Sequence, residues 1–516
     1  MKQIRRMLRI IFGRTTFAVV SLIVQVAILF TAYRFLSRYL AYFYGGFALL
    51  GAFVIIYILN KEENPSFKLA WMVPIAAIPV FGTLFYLFVE LQIVGKLANK
   101  RLRANIENTE TYLAQSPKVM EDLSRISRRN ANLAYYIKNS GHYPAYKNTN
   151  VQYFPLGETM FKEMKKELEG AKRFIFMEFF ILERGEMWDA ILEILERKAK
   201  EGVEVRFMYD GMCSLALLPF SFPKELQAKG INAKMFSPIK PAFTTYQNNR
   251  DHRKILVVDG LTAFTGGVNL ADEYINRRVR FGHWKDTGVM LKGDAVTSFT
   301  MMFLQMWNIF EKEPEDYGKY LRDPEYFYPL ELSMDGFVIP YGDSPLDQES
   351  VGKQVYLDII NSARHYVHIM TPYLILDYEM VQALTFAAKR GVEVVIIMPG
   401  IPDKKYAFLL ARSHYGELIR AGVQIYEYIP GFIHAKVYAS DDIKAVVGTI
   451  NMDFRSLYLH FECAVYLYQN EVIQDIQRDF HDTLAQCRRI TMEDCRSYPW
   501  YEVFAGRALR LFAPLM

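Results

Sequence analysis

Cysteine is scarce in this chain. Its 516 residues include only Cys213, Cys463, Cys487 and Cys495, and no two of them form a C-x-x-C pair. Neither a zinc site nor a disulfide framework is therefore indicated. No G-x-x-x-x-G-K-[ST] loop occurs, so the usual phosphate cradle of nucleotide-dependent enzymes is missing. Excess charge is small: 61 Lys and Arg stand against 56 Asp and Glu, a net charge of +5. The globular part has no dense basic run, which a long nucleic-acid groove would need, and the mild positive balance suits an anionic membrane surface. Apolar residues are abundant, at 51% hydrophobic and 15% aromatic, in a chain long enough for two or three domains.

Much of that apolar content is N-terminal. Residues 1–14 carry Lys2, Arg5, Arg6, Arg9 and Arg14 among large apolar side chains, the pattern of a basic interfacial helix. Three uncharged runs follow, at 15–33, 39–60 and 69–89, each of about the length that spans a bilayer core. A secretory signal would also have a basic start and an apolar middle, but Gln25 interrupts the first run and no A-x-A-like site ends it. Pro74 and Pro79 lie inside the third run and give it the option of a re-entrant kink. The expectation is a multi-pass protein of the cell membrane. Three spans from a cytoplasmic start put the large domain outside, whereas two return it to the side favoured by Lys96, Lys100, Arg101 and Arg103.

The chemistry is concentrated in a repeat. His252-Arg253-Lys254 is followed by Asp259, Gly266 and Asn269; His434-Ala435-Lys436 is followed by Asp441, Gly448 and Asn451. Every matched position is separated by 182 residues. In H-x-K on a strand, period-two alternation puts His and Lys on one face. Two such copies brought together offer two imidazoles, two ammoniums and two carboxamides around one small anion, with no obvious metal cage. That is a donor set for a phosphoryl group, in which one imidazole attacks phosphorus and the other protonates the leaving oxygen.

The repeat extends beyond the motif. Lys172 to Phe180 and Arg364 to Met370 read as equivalent strands; Lys200 to Met208 and Lys389 to Val394 read as a helix end, a Gly stop and a strand. The predicted architecture is α/β, with two tandem domains at 151–311 and 351–490. A helical connector occupies 91–150, an acidic Pro-punctuated linker (Glu313, Pro314, Glu315, Asp316, Pro324, Pro340) occupies 312–350, and an amphipathic tail occupies 491–516. The tail alternates Trp500, Tyr501, Phe504, Leu509, Leu511 and Phe512 with Arg507 and Arg510, which suits either a membrane surface or a terminal helix packed on its own domain.

The paired motifs resemble the phospholipase D superfamily, in which two HKD motifs meet at one active site between two domains related by a pseudo-two-fold. Further segments narrow the resemblance to the bacterial cardiolipin synthases. These are Asp272-Glu273-Tyr274-Ile275-Asn276, Arg280 to Asp286, Thr371-Pro372-Tyr373, Pro402-Asp403-Lys404-Lys405, Tyr426-Glu427-Tyr428, Asn451-Met452-Asp453-Phe454-Arg455-Ser456 and Phe461-Glu462. The apolar N-terminus with Lys61-Glu62-Glu63-Asn64-Pro65-Ser66 fits as well. The resemblance covers essentially the whole chain. One departure is His460, where the family pattern has Asn before Phe-Glu.

The resemblance implies phosphatidyl transfer between two phosphatidylglycerol molecules, giving cardiolipin and glycerol, at an anionic membrane surface. It implies His252 as the nucleophile and His434 as acid then base, although a near-symmetric sequence also admits the reverse. Lys254, Lys436, Asn269 and Asn451 hold the phosphoryl oxygens. Asp286 and Glu462 are the candidates for anchoring the other ring nitrogens. Asp259 and Asp441 belong to the catalytic motif, but their places near hairpins suit a structural role. No metal, cofactor or nucleic acid is implied, and nothing indicates an oligomer. Water or another alcohol as acceptor, or a membrane-tethered nuclease, are the competing readings.

Overall fold

The computed structural model describes residues 14–90, 93–213, 217–237, 249–311, 315–321, 335–347 and 349–515. The basic stretch from Lys2 to Arg9 and the linker residues Glu313, Pro314 and Pro324 lie outside the described residues. The chain divides into an N-terminal unit through Ile93 and a larger unit that begins at Val94.

In the N-terminal unit the first two uncharged runs are not separate. One helix of 46 residues, α1 (Arg14–Leu59), carries both of them, with Arg34 and Arg38 between. It is roughly 70 Å long, more than twice the thickness of a bilayer core. A continuous helix cannot turn back, so the two runs are not two opposed crossings. Among the described residues, only Tyr42–Leu59 is long and apolar enough to cross a membrane, by length and composition.

The third run is a hairpin. Asn64 caps α2 (Pro65–Ala77) by accepting from Ser66 N, and the helix ends at Ile78, which leaves the helical region before α3 (Pro79–Glu90) begins. A Cβ on Gly82 would lie 2.6 Å from the Ile75 backbone, so only glycine permits this close approach. Trp71 meets Phe85 and Tyr86 at ring separations of 5.5 and 5.4 Å. Lys61, ahead of α2, bridges Glu90, at the end of α3, at 2.9 Å. Helices of 13 and 12 residues are each too short for a bilayer core, and both ends of the hairpin lie together. Among the described residues the three runs thus form one long helix with one qualifying stretch and one helical hairpin, the kinked shape that Pro74 and Pro79 allow. Cysteines placed at Glu62 and Glu90, in a chain lacking its native cysteines, are expected to react with an impermeant maleimide from the same side of the membrane. Labelling from opposite sides would mean that 69–89 crosses.

In the larger unit the chain is helical through Gly141 and then builds two large sheets and a two-stranded one that pairs His283–Lys285 with Gly431–Ile433. Their strands, in chain order, are β1 (Thr149–Phe154), β2 (Phe174–Phe179), β3 (Glu204–Asp210), β4 (Asn232–Phe236), β5 (Arg250–Asp251), β6 (Lys254–Val258), β7 (Thr262–Gly266), β8 (His283–Lys285) and β9 (Gly288–Gly293). They continue with β10 (Phe337–Asp343), β11 (Tyr366–Met370), β12 (Glu393–Pro399), β13 (Gln424–Tyr428), β14 (Gly431–Ile433), β15 (Val437–Ser440), β16 (Lys444–Gly448), β17 (His460–Tyr468) and β18 (Cys487–Ile490). The first sheet runs β1-β9-β7-β6-β2-β3-β4 and the second β10-β17-β16-β15-β11-β12-β13-β18. The second repeats the first strand for strand, and β18 is added at its edge.

The central strands are mostly apolar because they are covered on both faces; β2, for example, is buried at every position, Glu178 included. The helix Val296–Trp307 is buried at every position but Thr297. Its Phe299 and Phe303 share one core with Phe176 and Ile255 of the first half and with Ile339 and Ile369 of the second. The two halves are therefore fused through a common interior.

One boundary differs from the sequence reading. The stretch read as linker, 312–350, contains β10, an edge strand paired with β17. Pro340 and Gly342 made it resemble a loop, but an edge strand tolerates proline. The tail helix Trp500–Phe512 packs one face on its own domain. Gly506 abuts the Leu409 carbonyl and Arg510 donates to Ser413 Oγ at 2.8 Å, while Trp500 and Phe504 on the other face are exposed.

Candidate active site

The two halves interlock by two short parallel pairings. β5, just before His252, pairs with the start of β17, Arg250 opposite His460 and Asp251 opposite Phe461. β14, just before His434, pairs with β8, Phe432 opposite Trp284 and Ile433 opposite Lys285. Extending each register by one residue brings His252 to Glu462 and His434 to Asp286. The backbone agrees: His252 N donates to Phe461 O at 2.9 Å, and His434 N donates to Lys285 O at 2.7 Å.

The side chains complete a crossed arrangement. His252 Nδ1 lies 2.9 and 3.0 Å from the two oxygens of Glu462. His434 Nδ1 lies 2.7 Å from Asp286 Oδ2. Each imidazole is thus anchored by a carboxylate from the opposite half, an anchor that fixes the tautomer and leaves Nε2 to react. His252, His434, Glu462 and Asp286 are all buried.

The copies differ in how each carboxylate is seated. In the first motif Gly267 leaves room, since a Cβ there would meet Asp286 Oδ1 at 2.0 Å, and Asp286 also accepts from Thr287 N at 2.8 Å. The matching residue in the second motif is Thr449, whose hydroxyl donates to Glu462. The sequence reading missed Thr449; its signal was the contrast between Gly-Gly-Val-Asn and Gly-Thr-Ile-Asn.

Lys254 and Lys436 are buried beside the rings. Lys436 Nζ is 2.9 Å from His434 Nδ1, and Lys254 lies 5.5 Å from the Phe180 ring, which meets His252 edge to face. Burial pulls Lys254 down to about 8 and Lys436 down to about 7. Burial, with the push of Lys436, holds His434 down at about 4 despite Asp286. His252 is held well below the ordinary imidazole range by burial and then by Lys254, His460, Lys436 and His434, so charges from both halves act on this ring. Glu462 is pushed up to about 8 by burial, against the pull of Lys254. Burial thus favours the neutral forms of these groups, and a phosphate anion beside the lysines favours their charged forms.

The asparagines are not equivalent. Asn269 Oδ1 accepts from Ile181 N at 3.0 Å and its Nδ2 donates to Tyr274 OH at 2.8 Å, so much of this carboxamide is committed to protein. Asn451 is buried with Oδ1 lacking a protein partner. The motif aspartates do not join the site, which corrects their inclusion among the catalytic residues. Asp259 accepts from the backbone N–H groups of Lys172, Arg173 and Phe174 at 2.7 to 2.9 Å. Asp441 does the same for Arg364, His365 and Tyr366 at 2.8 to 3.0 Å. Asp259 lies beyond the end of β6, roughly 17 Å along the strand from Lys254. Asp259→Ala is expected to cost about 2–4 kcal/mol of stability, with less lost for the more exposed Asp441→Ala. The specific activity of the folded fraction should hold, which a thermal melt beside an active-fraction assay checks.

His252, His460 and Glu462 bring ligating atoms within 4.8 Å of one another, the one such trio found among the described residues. Arg455 Nε donates to His460 Nε2 at 3.2 Å, which keeps the proton of a neutral ring on Nδ1. The trio would fit a metal only if that bond were given up.

Two anchored imidazoles and two lysines, contributed by both halves of a duplicated α/β unit, define a phosphodiester-exchanging enzyme of the phospholipase D type. The comparisons with known proteins narrow this class. Residues 164–307 and 356–484 match the family described as cardiolipin synthase, PLD-like domain, and residues 49–90 match the phospholipase D-nuclease N-terminal family. A cardiolipin synthase of Halalkalibacterium halodurans is 33% identical over 90% of this chain and 92% of its own length. One of Geobacillus thermodenitrificans is 33% identical over 98% of this chain and 100% of its own. An uncharacterized protein of Streptococcus mutans is 51% identical over 90% of this chain and 99% of its own. The crystal structure of phosphatidylserine synthase from Haemophilus influenzae shares the fold, with a TM-score of 0.52 at 13% identity over 71% of this chain and 93% of that one. The chain belongs to the bacterial cardiolipin synthase family, and it is a phosphatidyltransferase.

Proposed function

We propose that the enzyme moves a phosphatidyl group from one phosphatidylglycerol to a second, giving cardiolipin and glycerol, through a phosphatidyl-histidine. The observation that carries this reading is the crossed pairing of His252 with Glu462 and His434 with Asp286. Lys254, Lys436 and Asn451 neutralise and orient the phosphoryl oxygens. His252 Nε2 attacks phosphorus while His434, charged as the imidazolium once the lipid phosphate is bound, gives its Nε2 proton to the departing glycerol oxygen, so a P–N bond forms as a P–O bond breaks. His434 then takes the proton of the acceptor's primary hydroxyl, whose oxygen displaces His252 from phosphorus. One phosphodiester replaces another, so the overall free-energy change is near zero and no nucleotide is required.

Tyr42–Leu59 is proposed as the single crossing and the α2–α3 hairpin as a re-entrant element, so that the site works on lipid in its own membrane. Purified enzyme given phosphatidylglycerol alone tests the reaction: cardiolipin and glycerol in equal amounts support it, and phosphatidic acid as the only lipid product would replace it with hydrolysis.

The lysines set the pH dependence. An ammonium attracts the phosphodiester and a free amine does not, and kcat/KM reports the free enzyme. With Lys436 at about 7 and Lys254 at about 8, kcat/KM is expected to fall as pH rises through that range. A flat profile up to pH 9 would show that the lysines keep their protons in the free enzyme.

A further inference from the structure

The second half places a third imidazole, His460, beside His252 and two more cations, Arg455 and Lys404, around His460, and the two-histidine chemistry does not use them. Arg455 and His460 are positioned by one π turn, Arg455–Leu459, the only π segment among the described residues. A π turn closes on the residue five positions along, and His460 N accordingly donates to Arg455 O. The same turn lays the Arg455 guanidinium on the His460 ring, at 3.2 Å. His460 Nδ1–H has no protein partner, although the side chain is only 9% exposed. This nitrogen lies 3.8 Å from Glu462 Oε1, and the ring lies 5.5 Å from that of His252. Lys404 adds to the positive potential felt at His460 and is half exposed, so the group is reachable from solvent. Asp403, 3.8 Å from Lys404, and buried Asp453 offset part of this charge.

We propose that Arg455, His460 and Lys404 form a second anion subsite that holds the phosphodiester of the acceptor lipid. The proposal rests on the reading that the acceptor is itself phosphatidylglycerol. In that lipid the attacking hydroxyl and the resident phosphate belong to one glycerol unit, so a second phosphate must sit a few ångströms from the reacting phosphorus. Two phosphates that close repel unless cations stand beside the second. Water and free glycerol carry no second phosphate, so the subsite separates a lipid acceptor from both.

The test uses the full-length enzyme in detergent with phosphatidylglycerol and radiolabelled glycerol. Cardiolipin reports the lipid acceptor, and label entering phosphatidylglycerol reports glycerol taking its place. Arg455→Gln is expected to lower the ratio of cardiolipin to exchanged label by about tenfold or more, Lys404→Gln by a few fold, and Arg455→Lys to restore part of it. Cardiolipin formation and exchange falling together, with the ratio unchanged, would overturn the subsite and leave Arg455 as a support for His252. Undiminished cardiolipin formation would overturn it too. Wild-type enzyme that exchanges glycerol but makes no cardiolipin is a different result, and refutes the acceptor reading itself.

Discussion

Replacing either His252 or His434 by alanine is expected to lower cardiolipin formation by about ten-thousandfold or more, with the fold intact. The magnitude follows from the division of labour. Without the nucleophile no P–N bond forms, and without the acid the glycerol oxygen must leave as an alkoxide. Residues that act as a unit are not additive, so the double variant should be no worse than either single one. A donor lipid with p-nitrophenol in place of glycerol separates the roles, because nitrophenolate leaves without protonation. On that donor the His434→Ala enzyme should release a burst of nitrophenolate and stall, whereas His252→Ala should give no burst. Robust turnover of phosphatidylglycerol by either variant would show that the two imidazoles do not form one site.

The second large effect should come from the carboxylates, and it should cross between the halves. Glu462 lies in the second half yet anchors the first motif's histidine, and Asp286 lies in the first half yet anchors the second. An amide in either place removes the anchor that fixes the tautomer, a loss expected to cost about a hundredfold to ten-thousandfold in kcat. Glu462→Gln should abolish the nitrophenolate burst, and Asp286→Asn should keep the burst while losing turnover of phosphatidylglycerol. The opposite pattern would mean that each carboxylate serves the histidine of its own half.

Much of this was legible in the sequence because the duplication kept strict register. The constant spacing from His252 to His434 and from Asn269 to Asn451 identified two copies of one strand hairpin, and both sheets adopt the same strand order. Asp286 and Glu462 were legible as candidates, since a reacting imidazole needs an anchor. Their crossed partners were not, because β5–β17 and β8–β14 are pairings of two and three residues between segments far apart in the chain. No local pattern encodes such contacts. The Gly267 and Thr449 contrast becomes meaningful only once each is seen beside its carboxylate.

The membrane segments were legible as apolar runs, but their arrangement was not. Uncharged length does not register the break at Ile78, nor the continuity of α1 through Arg34 and Arg38. The π turn is likewise invisible to periodicity, because Arg455 and His460 meet only after the helix has been distorted.

The most direct measurement is mass spectrometry of the His434→Ala enzyme stalled on the p-nitrophenyl donor. The account predicts one phosphatidyl group per chain, on His252, and none on the His252→Ala enzyme treated in the same way. Equal labelling of His252 and His434 in the wild type, with each single variant still turning over at its remaining histidine, would mean that the rings serve separate phosphates, and would contradict it.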